Sequence, residues 1–240
     1  MAVVLESTQT TSNLFAKDSI ITLPSGISSG DLILIIAGIE GQSGNATFDT
    51  PIGYTLAATE HAIGNISLCR LYVFYKIAGS SESNPNVVSS SITANKRFIV
   101  HRISGVSNSG PIEIINSGTD TISPANPPSY DISGGTLTSS HKALFRVAIC
   151  NDNGDTGTFD STQTFTGHTR RAILTGNEVG AISVQKDSVS EGAFSSLSVD
   201  TISVDGGDVD GIAFANIAIL EEGAGGGAGG TNYLPLLGVG

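Results

Sequence analysis

The chain is 240 residues long and carries 22 acidic against 11 basic side chains, a net charge of −11. That balance opposes binding to a phosphate backbone, where basic surface supplies most of the affinity, so no nucleic-acid partner is expected. Charged residues make up only 14% of the chain and glycine reaches 30, which suits strands joined by many tight turns and not helices.

Residues 3–23 alternate loosely between polar and apolar, and 19–23 read as an edge strand before the turn Pro24-Ser25-Gly26. Gly30-Asp31-Leu32-Ile33-Leu34-Ile35-Ile36-Ala37-Gly38 follows. Its apolar run is far short of the roughly 20 residues of a membrane span. Three isoleucines and close glycine bracketing predict a strand buried on both faces, hence a central one. Residues 48–59 bend at Pro51 and Gly53, and residues 66–77 form the most strongly patterned strand. On it Cys69, Leu71, Val73, Tyr75 and Ile77 share one face at period two, the expected core side. Tyr72 and Phe74 point the other way, against a loop or a partner. Strands are predicted at 87–93 and 97–103. Residues 107–135, rich in Pro, Gly and Ser, read as a long crossover too proline-dotted for a central strand. Strands resume at 143–150, around 158–166, and at 172–174, 181–184, 197–204 and 211–220. No segment carries a helical period.

The opening Met1-Ala-Val-Val-Leu-Glu6 lacks the basic and long apolar regions of a secretory signal. Synthesis in the cytoplasm is expected, with no membrane partner. Cys69 and Cys150 sit in apolar strand-like runs and are expected as buried free thiols. Two cysteines and four scattered histidines give no zinc spacing, so no metal or other cofactor is expected.

Other motifs resolve to turns. Gly26-Ile-Ser28-Ser-Gly30 spells the hydrolase elbow, but it precedes a strand where the elbow needs strand, turn and helix. Gly225-x-Gly227-x-x-Gly230 spells a dinucleotide fingerprint with too little chain after it for a helix and strand. Asn151-Asp152-Asn153-Gly154-Asp155 and Asp205-Gly-Gly-Asp208-Val-Asp210 offer oxygen ligands of the kind calcium takes, yet neither completes the twelve-residue loop, and Asx-Gly turns are the favoured reading. His61, His101, His141 and His168 have no visible Ser or Cys partner and read as surface or strand-face residues.

An internal echo runs through the chain. Thr47-Phe48-Asp49 recurs as Thr158-Phe159-Asp160, an offset of 111 (158 − 47). The same offset carries Tyr54-Thr55 onto Phe165-Thr166 and the central strand onto 143–149. The strand ending in Lys76 falls near 182–186 with a one-residue slip. Duplication and convergent strand patterning both account for this. The expected body is one sandwich over 1–222, with similar halves at 1–110 and 136–222.

Between Asp187 and Glu222 there are eight carboxylates and no Lys or Arg. Residues 223–230 are a Gly/Ala linker by composition. The decapeptide 231–240 then gathers Tyr233, Leu234, Leu236, Leu237 and Val239 around Pro235 without a charge. Five large apolar groups invite burial, so Tyr233, Leu234, Pro235, Leu236, Leu237 and Val239 are the candidate partner-binding residues of a C-terminal arm. Such an arm fills a groove on a neighbouring subunit or adds a strand to a sheet edge.

The first 110 residues resemble a β-sandwich protein family of tailed-phage virions. Pro24-Ser-Gly26 leads to Gly30-Asp31-Leu32-Ile33-Leu34, then Pro51-Ile-Gly53-Tyr54-Thr55-Leu56, then Leu71-Tyr-Val-Phe-Tyr-Lys-Ile-Ala78 and Arg102-Ile-Ser-Gly-Val106. In related sequences Tyr54 is usually Trp. The resemblance implies an all-β, jelly-roll-like antiparallel sandwich and a non-enzymatic virion role. A capsid decoration (cement) protein is the first expectation. Its partners are then the major capsid protein or other virion subunits and further copies of itself as a homo-oligomer. A receptor- or glycan-binding module of a tail or fibre is the alternative. An enzyme with a spatially assembled carboxylate site is a third.

Overall fold

A computed structural model describes residues 2–13, 16–40, 46–63, 68–91, 94–120, 129–151, 157–175, 179–203 and 211–221. Every regular element in them is a strand. The first seven are β1 (Val4–Asn13), β2 (Asp18–Ile20), β3 (Leu32–Glu40), β4 (Thr55–Ile63), β5 (Leu68–Ile77), β6 (Asn86–Val88) and β7 (Lys96–Ser104). Then come β8 (Ile112–Asp120), β9 (Ser129–Ile132), β10 (Gly135–Leu137), β11 (His141–Asn151), β12 (Gly157–Phe159) and β13 (His168–Leu174). The last four are β14 (Val179–Lys186), β15 (Gly192–Phe194), β16 (Leu197–Ser203) and β17 (Gly211–Leu220).

Two five-stranded antiparallel sheets, β1-β7-β3-β5-β4 and β13-β14-β11-β17-β8, dominate. Their facing sides share one core, in which Leu34, Ile36, Val73 and Ile99 meet Phe145, Val147 and Ile217. Burying each such side chain contributes about 1.5–3 kcal/mol before ordering costs. The protein is thus an antiparallel all-β sandwich.

Both large sheets are covered on their outer faces too. Ile33, Ile35, Phe74 and Phe98 pack beneath Ile21 and Val87 around the β2–β6 pair. Ala148, Ile182, Val184 and Phe214 pack beneath Tyr130, Phe159 and Val199 of the small sheet β12-β16-β9. This explains why β3 is buried at all nine positions, as its unbroken apolar run predicts. On β5, Cys69, Leu71 and Val73 lie in the central core with Tyr75 and Ile77 against it, while Tyr72 and Phe74 are covered by the outer layer. The cover that Tyr72 and Phe74 need comes from the chain itself.

The echo extends to strand order. Read from one edge, β1-β7-β3-β5-β4 matches β8-β17-β11-β14-β13 strand for strand. Phe48 bridges Ser89 and Phe159 pairs with Thr201. The next amides, of Asp49 and Asp160, donate to the carbonyls of Val88 and Asp200 at 2.9 and 2.8 Å. Leu34 opposes Tyr75 as Phe145 opposes Gln185, reproducing the one-residue slip.

Two readings need correction. The second set of strands starts at Ile112 and not at 136, because the proline-dotted crossover contains β8, an edge strand. And Tyr54 does not correspond to Phe165. β4 and β13 each carry a bulge, at Ala57 and at Arg171, opposite equivalent residues of β5 and β14. Counting back from those bulges, Tyr54 falls on His168 and Pro51 on Phe165. The turns agree: the Tyr54 amide donates to Pro51 O at 3.0 Å, and the His168 amide to Phe165 O at 3.1 Å. Gly53 and Gly167 occupy the same left-handed position, φ 81° and 69°, which a side chain resists.

Candidate functional site

Tyr233, Leu234, Pro235, Leu236, Leu237 and Val239 lie outside the described residues, as do the acidic positions at 152–155 and 205–210. Among the described residues no group of three or more His, Cys, Asp or Glu is placed to hold a metal ion. Cys69 and Cys150 are buried and not joined in a disulfide, and the Cys69 thiol donates to the Ile149 carbonyl across the two sheets at 3.6 Å.

The elbow-like stretch is a turn into β3. Asp31 organises it, with Oδ2 accepting from the Ser28 amide at 2.8 Å and from Arg102 Nε at 2.6 Å. A cleft of about 270 Å³ lies beside it, but the Asp31 carboxylate on its wall is already engaged by Arg102.

His101 is not a surface residue. Its Nε2 lies 2.8 Å from Ser183 Oγ, its Nδ1 lies 2.8 Å from Thr8 Oγ1, and its ring stacks on Phe145. The Ser–His spacing suits a nucleophile and base, yet both residues are sealed between the large sheets. Burial, helped by the charge of Arg171, pushes His101 down to about 3, so the ring is neutral near pH 7. It is a polar tie between the halves. His141 is buried as well, with Nε2 2.9 Å from Glu113 Oε2.

Two clefts occupy equivalent places in the two halves. The first, about 230 Å³, is lined by Ile52, Tyr54, Lys76, Glu82, Asn84 and Asn86. Lys76 Nζ donates to Glu82 Oε2 at 2.6 Å and lies 5.8 Å from the centre of the Tyr54 ring. The Gly79 amide donates to Glu82 Oε1 at 2.7 Å. Burial works to raise Glu82, but the hydrogen bonds from Lys76 and Gly79 and the charge of Lys76 hold it below the usual range. Burial, with Glu82 nearby, pushes the Tyr54 phenol well up. This cleft is electrostatically closed.

The second cleft, about 250 Å³, is lined by Arg146, His168, Lys186, Ser190, Phe194 and Ser195, among others. Register puts the three basic groups on one face. Lys186 opposes His168, Arg146 opposes Val184, and Val184 and Lys186 are two apart on β14. Arg146 is buried in the middle of an apolar strand. Its Nε donates to Asn216 Oδ1 at 3.0 Å, Nη1 to Ser195 O at 3.0 Å, and Nη2 to Ile132 O and Ser133 O at 2.6 and 3.0 Å. Asn216 extends the network to Asn116 and to Ser133 O. The guanidinium also lies 5.2 Å from the Phe194 ring centre. All these hydrogen-bond partners are neutral, and burial lowers Arg146 to about 10 against the opposing charge of Asp131.

Sequence reasoning passed over Arg146, although the signal was present: one arginine inside Ala143-Leu-Phe-Arg-Val-Ala-Ile-Cys150 must satisfy its donors in the interior. Comparison of the chain with family models, with curated proteins and with solved structures finds no match.

Proposed function

We propose that the protein is a non-enzymatic structural component of a phage virion, a decoration protein that docks on the head lattice. The carrying observation is a doubly covered sandwich followed by a glycine-rich stretch and an uncharged apolar decapeptide. A body whose sheets are buried on both faces has spent its apolar surface internally, so attachment falls to the decapeptide. Fully burying three of its large side chains contributes about 5–8 kcal/mol gross. The resemblance of the first 110 residues to virion sandwich proteins supports the same reading, with the major capsid protein and further copies of this chain as partners.

A receptor- or glycan-binding role on a tail or fibre is the second reading. It is favoured by the fully exposed Ile52 beside Asn84 and Asn86 at the first cleft, an apolar rim next to amide groups. Labelled protein added to particles separates the two by position, head surface or tail tip. Deleting residues 223–240 is expected to leave the melting temperature nearly unchanged and to weaken attachment to heads. Equal attachment by the truncated chain overturns the role of the decapeptide, and a label confined to the tail tip overturns the decoration reading.

A further inference from the structure

The two equivalent clefts differ in one chemical respect. In the first, Lys76 is neutralised by Glu82 from the same chain. In the second, the equivalent Lys186 has no carboxylate within ion-pair distance among the described residues, and neither has Arg146. Ser190, Phe194 and Ser195 stand where the first cleft has its Glu82–Asn86 segment. His168, standing where Tyr54 stands, turns its Nδ1 to the Thr166 carbonyl at 3.0 Å, while its buried Nε2 has no partner among the described residues.

Three basic groups converging on one partly buried hollow repel one another, in a chain with twice as many acidic as basic side chains. Arg146 and Lys186 both act on His168 in this sense, and Asp187 opposes them while its carboxylate accepts from Thr169 Oγ1 at 2.5 Å. Such a cluster is stabilised by a counter-charge, and the first half shows which kind: an oxyanion held by the lysine and a second donor.

We infer that the cleft between Arg146, His168 and Lys186 binds a small oxyanion, a carboxylate, phosphate or sulfate group, in the place that Glu82 takes in the other half. Lys186 supplies the mobile charge. His168 supplies Nε2–H once protonated, and the Ser190 hydroxyl lines the wall. Arg146, with its donors largely committed to carbonyls, contributes field and rigidity.

The test is titration of the full chain with sodium phosphate, sulfate and acetate at ionic strength fixed with sodium chloride, read on the backbone amide resonances of Ala193, Phe194 and Ser195, which line the cleft. At least one oxyanion is expected to give a saturable one-site shift, weakened about tenfold or more in Lys186→Met and in His168→Asn. Lys76→Met in the first cleft is expected to leave it unchanged. Response to phosphate and sulfate alone identifies a tetrahedral group, and response to acetate a carboxylate. Ser190→Glu, which supplies an internal carboxylate, is expected to abolish the shift and raise the melting temperature. Absence of saturation by all three anions at about 50 mM, a range that still detects Kd values near 10 mM, overturns the inference. So does undiminished affinity in both Lys186→Met and His168→Asn.

Discussion

Gly38, towards the C-terminal end of β3, lies against Ile149, towards the C-terminal end of β11. A Cβ added to Gly38 would stand 2.6 Å from Ile149 Cδ1 and 2.8 Å from Cγ2. The two residues are also equivalent under the offset of 111 (149 − 38), so here the same position of each half meets the other. One of the pair must be small for the other to be large.

Gly38→Ala is therefore expected to cost about 1–3 kcal/mol, since Ile149 is fully buried and has nowhere to withdraw. Urea unfolding of Gly38→Ala, Ile149→Val and the double variant checks this. The double variant should be more stable than the two single losses imply, and strict additivity would remove the contact as the cause.

The buried imidazole sets a dependence on pH. The unfolded chain takes a proton on His101 below about pH 6.5, while the folded chain resists it until about pH 3. Its contribution is therefore complete above pH 6.5 and declines as the pH falls from there towards 3, by at most about 1.4 kcal/mol per unit. His61 and His168, both lowered chiefly by burial, act with the same sign. Unfolding free energy should fall by about 2 kcal/mol or more between pH 7 and 5. His101→Gln should flatten that slope, and an unchanged slope would place the titration elsewhere.

Arg146→Met is expected to be among the most damaging single changes, costing about 3–5 kcal/mol, because it strands the carbonyls of Ile132, Ser133 and Ser195. Arg146→Lys keeps the charge but not the planar fork, and should fall between. Chemical denaturation ranks the three proteins. A methionine variant as stable as the parent would mean that those carbonyls find other donors.

The paired turns give a symmetrical expectation. Gly53→Ala and Gly167→Ala each force a side chain into the left-handed region, at about 1 kcal/mol apiece, with the unfolding m-value unchanged. Unequal losses would show that the turns are not held alike.

What the sequence revealed follows burial. β3 and β5 were legible because central strands covered on both faces are apolar at most positions. β1 and β8 were not. As edge strands they are rich in Ser, Thr and Asn, and Val4-Leu-Glu-Ser-Thr-Gln-Thr-Thr-Ser-Asn13 reads as loosely polar. The Thr-Phe-Asp echo located one equivalent pair correctly, because Phe48 and Phe159 each pin the outer cover to its sheet. A constant offset then misplaced Tyr54, since insertions between such pins leave no trace in a residue count. The second cleft was illegible for a related reason: Arg146, His168 and Lys186 come from three strands and meet only through register.

Both large sheets end on bulged strands. Glu6, Ala57, Ile115 and Arg171 are the unpaired residues of β1, β4, β8 and β13, one on each of the four edges. A ladder interrupted in this way offers an incoming strand two short, differently pitched segments in place of one continuous rail. Open-ended growth by sheet extension, the route by which exposed edges lead to aggregation, is thereby discouraged at high protein concentration.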